Sequence, residues 1–75
     1  MNRERRKLLE RASALRDEAL ALLEEVRDGE QDAFDNMPPS FQEGERGAAM
    51  QETLSALDDV IGTLEDLDIL AIGEG

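Results

Sequence analysis

The chain has 75 residues with no Cys, His, Tyr or Trp, and its 19 acidic residues against eight basic ones give a formal net charge of −11. This inventory excludes disulfide frameworks and thiolate metal sites, and it leaves no imidazole for acid–base work near neutral pH and no thiol nucleophile. Ser13, Ser40 and Ser55 lack a base to activate them, and the Glu-x-x-His pairs of helical di-metal sites cannot be built. The chain therefore reads as non-enzymatic, with no cofactor and no metal.

The first element is a helix. Asn2 can cap it, and Leu8, Ala12, Leu15, Ala19, Leu22 and Val26 recur in alternating steps of four and three, which places them on one helical seam. Gly29 offers one place to stop. Continuation is favoured, because an interior Gly costs only about 1 kcal/mol relative to Ala and Ala33 keeps the stripe in phase. Met37 must leave helical geometry ahead of Pro38, and Pro39 enforces the break. Helix one is thus expected over about 3–35.

A turn follows over 36–44. Within it Ser40-Phe41-Gln42-Glu43 fits a capping box, and Gly44 and Gly47 weaken any helix directly downstream. A second helix over about 45–70 carries its own stripe of Met50, Leu54, Leu57, Ile61 and Leu64, with Val60 and Leu67 beside it. The tail from Ala71 to Gly75 is expected to fray.

The predicted fold class is all-α: one domain over 1–75, an antiparallel two-helix hairpin that buries both seams. Leu8, Leu15, Leu22, Val26, Met50, Leu54, Leu57, Val60, Ile61, Leu64 and Leu67 are its core and dimer residues. Chains this short seldom bury enough apolar surface alone, and a second copy covering the open faces gives a homodimeric four-helix bundle.

Charge is unevenly spread. Up to Arg16 six basic residues meet only Glu4 and Glu10, whereas from Asp17 onward Arg27 and Arg46 meet 17 carboxylates. Such a surface repels nucleic acid and anionic lipid and attracts a basic protein. An antiparallel pairing would set Asp58, Asp59, Glu65, Asp66 and Asp68 beside the basic start of helix one, with Asp66 and Asp68 facing Arg3, Arg5 and Arg6. The longest apolar runs, such as Ala19 to Leu23, are far too short to span a membrane. No uninterrupted apolar signal segment follows the basic start, so the expected location is the cytoplasm.

The turn lacks compensating bases. Asp28, Glu30, Asp32, Asp35, Glu43 and Glu45 crowd there, together with Phe34, Met37 and Phe41. The apolar trio either plugs the end of the core or forms a docking knob rimmed by carboxylates, and these nine residues are the candidate partner-binding set. Calcium is a poor fit, because an EF-hand loop starting at Asp28 would have Ala33 at its sixth position and Pro39 at its twelfth. The acidic array either keeps the chain soluble or imitates the phosphates of DNA.

The segment Glu30-Gln31-Asp32-Ala33-Phe34-Asp35-Asn36-Met37-Pro38, with Phe41-Gln42 and Glu45-Arg46-Gly47 after it, resembles a group of short uncharacterised bacteriophage and prophage proteins. Those share a charged helix, an acidic-Asn-Met-Pro turn, a Glu-Arg-Gly start and an acidic second helix. This chain departs from them in Pro39 and Gly29. The resemblance implies a phage context, hence the cytoplasm of a bacterial host, and no catalytic role. Small acidic phage proteins often bind and block a host protein, here one that handles nucleic acid or serves in defence. The alternative is an oligomerisation or assembly module whose charge is only solubilising.

Overall fold

The computed structural model describes Met1–Glu74, so the expected fraying of Gly75 lies outside the described residues. The protein is all-α, with no strand among the described residues. Helix α1 spans Arg3–Asp35, α2 Pro39–Gln42 and α3 Glu45–Asp66, and a 3₁₀ segment covers Leu70–Glu74.

Helix α1 begins where Asn2 turns extended and its Oδ1 accepts the Arg5 N–H at 2.9 Å. It runs through Gly29, where an added Cβ would meet nothing within 4 Å. Its end is closed locally. The Asn36 backbone N–H and Nδ2 both donate to the Asp32 carbonyl, at 3.0 and 2.9 Å, and the Met37 N–H donates to Phe34 O at 3.1 Å. Pro38 has no N–H to continue the ladder.

The capping box at Ser40 does not form. Pro38 is the N-cap of α2 and makes no side-chain cap bond. Pro39, with φ already fixed near the helical value, takes the first helical position and leaves Ser40 inside the turn. Gln42 instead joins α2 to α1, its Nε2 donating to Phe34 O at 2.9 Å.

Gly44 starts α3 from an extended conformation, and Gly47 is buried one turn further on. A Cβ at Gly47 would stand 2.5 Å from the Gln42 carbonyl carbon and 2.7 Å from its Cα. Only glycine lets α2 sit this close. Thr53 and Thr63 return hydroxyl hydrogen bonds to Ala49 O and Asp59 O, contacts of the kind that bend a helix, and α3 is bent. The second helix ends at Asp66 rather than at the expected Leu70, because Leu67 swings to ψ 115°.

Contacts between the helices run in opposite directions along the chain. Arg27 meets Asp58, Arg16 reaches Leu64 and Leu67, and Gly73 lies beside Leu9 and Met1. The result is a thin body of 58 × 17 × 11 Å. Its length is little more than α1 itself, about 50 Å at 1.5 Å per residue.

On α3 the inner face matches the expected stripe. Leu54 and Ile61 are buried, and Met50, Leu57 and Leu64 are half-buried. On α1 the expectation fails. Leu8, Leu15, Leu22 and Val26 remain 65, 55, 56 and 51% exposed. The side of α1 turned inward carries Leu9, Ser13, Arg16, Leu20, Leu23 and Phe34. Two periodic stripes one residue, or about 100°, apart compete on this helix. The winner contains the small, buried Ser13 and an arginine that reaches the α3 terminus.

Candidate functional site

The face left open on α1 is apolar and continuous. Leu8, Leu15, Leu22 and Val26 stand about a quarter turn from the inward side, with Ala12 and Ala19 between them. Val60 and Leu67, also exposed, stand about a quarter turn from the inward side of α3 in the same rotational sense. Because the helix contacts run in opposite directions, equal rotations open to the same side. The six side chains thus share one face of the two-helix layer.

The reverse face is acidic. Glu10, Asp17, Asp28 and Asp35 follow one another along α1 about half a turn from the apolar stripe, with Asp58 across from them on α3. Arg3 and Arg6 lie on this face at its N-terminal end, and Arg27 is set at its edge toward α3. Its Nη2 lies 3.3 Å from Asp28 and its Nη1 3.4 Å from Asp58. The Asp28 carboxylate first, and Asp58 second, hold its guanidinium still further above its ordinary pKa. A shallow depression on the outer side of α3 is lined by Ala48, Gln51, Glu52, Ser55, Ala56 and Asp59.

The inner cation is Arg16. Its Nη1 donates to Leu64 O and Leu67 O, both at 2.7 Å, where α3 ends; Leu64 O also accepts the Leu67 N–H at 3.3 Å. A positive charge at a helix C-terminus is also favourably placed. Its Nε lies 2.9 Å from Asp17 Oδ1 but is not aligned with it, and no other acceptor replaces that one. Sequence reading placed Arg16 only within a basic segment. Its spacing of seven from Leu9 and Leu23 and four from Leu20 was the signal that could have revealed it.

At the turn, Phe34 and Met37 are half-buried while Phe41 is 53% exposed. The trio therefore divides between lining the end of the layer and projecting from it. Glu30 is half-buried, whereas Asp32, Glu43 and Glu45 are exposed without a cationic partner among the described residues. Asp35 accepts a hydrogen bond from Gln31 Nε2 at 2.9 Å. Nowhere among the described residues do three acidic side chains gather as a metal-ligand set.

The expected pairing at the open end is absent. Arg3, Arg5 and Arg6 make no ion pair with Asp66 or Asp68. Asp68 instead accepts the Ala71 N–H at 3.3 Å, where the 3₁₀ segment has replaced the last turns of helix that would have carried these carboxylates along α1. No family model, curated protein or solved structure matches this chain. No helix among the described residues is long and apolar enough to cross a membrane.

Proposed function

We propose that this chain is a non-enzymatic, acidic helical protein-binding module. In this reading α1 and α3 form a hairpin, and two hairpins pack into a four-helix bundle in the cytoplasm of a bacterial host. The observation that carries the reading is its two-sidedness: an exposed apolar stripe on one face and carboxylates on the other. The six exposed aliphatic side chains present on the order of 550 Å² per copy, against about 800 Å² per partner in a standard interface. This area lies at the upper end of the roughly 300–600 Å² of the largest apolar patch on an ordinary monomer, a patch that is often functional. Covering the stripe with a second copy leaves both acidic faces and both turns outward.

The outward surface suits a basic partner. Carboxylates fixed along a rigid helix offer regularly placed negative charge, as a nucleic acid does, and Phe41 supplies an apolar contact at the turn. A host protein that handles nucleic acid, or a defence protein, has the complementary basic groove. The resemblance to short phage proteins supports the same setting. The assembly reading is favoured by the apolar stripe itself, which needs no acidic partner.

Competition separates the two. Proteins retained from a bacterial lysate by the immobilised dimer are challenged with duplex DNA. Release by DNA is expected if the carboxylates occupy a nucleic-acid-binding groove. Retention unaffected by DNA excludes the mimic and leaves assembly.

A further inference from the structure

The apolar stripe also has a polarity. Resting on the proposed dimer, we infer that the second copy packs antiparallel across the α1 stripe, with Arg5 and Arg11 of each copy beside Glu30 and Glu25 of the other.

The stripe from Leu8 to Val26 is centred near residue 17, so a two-fold axis there brings together residues whose numbers add to about 34. Leu8 then meets Val26 of the second copy, Leu22 meets Ala12, and Leu15 meets Ala19. The inner two pairings set a large side chain on a small one, which lets the seams interlock. Leu67, level with Arg16 and so close to the axis, is carried by the same operation onto Leu67 of the second copy. A parallel arrangement that stacked α1 on α1 would set Leu on Leu and Ala on Ala at each level.

Charge selects the same direction. Arg5 and Arg11 make no ion pair within the chain among the described residues, and neither do Glu25 and Glu30. Arg5 and Glu30 flank the stripe on the side toward α3, and Arg11 and Glu25 flank it on the outer side. Antiparallel packing sets Arg5 against Glu30 and Arg11 against Glu25, each twice by symmetry. A parallel bundle would bring both acidic turns to one end, where Asp28, Asp32, Asp35, Glu43 and Glu45 of each copy would repel those of the other. Glu30 thereby moves from the candidate partner-binding set to the edge of the dimer. Asp32, Asp35, Glu43 and Glu45 stay free for an outside partner.

The test uses the full chain with one cysteine, Glu43→Cys, spin-labelled at the turn; the natural sequence contains no cysteine to interfere. Light scattering gives the mass and dipolar spectroscopy the distance between labels. The expected result is dimer mass with labels about 50–60 Å apart, since each turn lies some 18 or more residues of helix from the axis. Dimer mass with labels closer than about 30 Å overturns the antiparallel packing while sparing the dimer. Monomer mass overturns both. In a second arm, Arg11→Glu is expected to weaken the dimer by about tenfold, and adding Glu25→Arg to restore it to within about threefold of the parent. Failure of the double variant to recover overturns the ion pairing.

Discussion

Arg16 offers the sharpest energetic test of how the two long helices are joined. Arg16→Met keeps the aliphatic stem and much of the volume but deletes both 2.7 Å hydrogen bonds to Leu64 O and Leu67 O. Hydrogen bonds from a charged donor contribute about 1.5–3 kcal/mol each. The side chain is only 19% exposed, so solvent screening discounts them little. Two effects reduce the sum: water can reach the Leu67 carbonyl once the guanidinium is gone, and the variant no longer buries an Nε without an aligned acceptor. A net loss of about 2 kcal/mol is expected, which in a chain of this size lowers Tm by roughly 8–16 °C. Thermal and urea melts followed by circular dichroism, at one fixed protomer concentration, measure it. Arg16→Lys, with a single point charge and no planar fork, should fall between the two. A loss below about 0.5 kcal/mol for Arg16→Met would refute the idea that this arginine clamps the end of α3.

Two glycines should respond in opposite directions. Gly47→Ala forces a Cβ into the Gln42 backbone and is expected to destabilise by at least about 1–3 kcal/mol. Gly29→Ala meets nothing and should stabilise by about 0.5–1 kcal/mol; urea melts check both. Reversal of Asp32 and Asp35 to Lys, and separately of Glu43 and Glu45, should abolish capture of the basic partner. Helicity and dimer mass should stay unchanged, as judged by circular dichroism and light scattering. Raising salt from low to moderate should raise Tm, because screening over about 10 Å at 0.1 M weakens repulsion among the 17 carboxylates after Arg16. A fall in Tm would mean that attraction across the fold outweighs repulsion.

Local signals gave the reliable part of the sequence reading. Asn2 and the Met37-Pro38 step depend on chemistry within one turn of helix, the α3 stripe from Met50 to Leu64 on periodicity over about four turns, and each reappears in the structure. Periodicity did not select the inner face of α1. Leu8, Leu15 and Leu22 form the cleaner apolar row, while the inner row is interrupted by Ser13, Arg16 and Arg27. Those polar residues are there because Ser13 is buried in the layer, and because α3 ends at Arg16 and presents Asp58 to Arg27, none of which a single helix reveals. The Ser40 capping box failed for a local reason, since a preceding Pro-Pro pair starts the turn earlier. The acidic reverse face was hidden by treating charge as a sum along the chain and not by its angle around α1.

The account depends most on the leucine stripe being an interface. Light scattering behind a sizing column, on the parent and on Leu22→Asp, addresses it directly. Leu22 is 56% exposed in the protomer, so a carboxylate there can remain hydrated in a single copy but not beneath a second. The account predicts about twice the 8.3 kDa chain mass for the parent, and 8.3 kDa with largely retained helicity for Leu22→Asp. A parent chain that runs at 8.3 kDa and melts cooperatively, or a Leu22→Asp variant that remains dimeric, would contradict it.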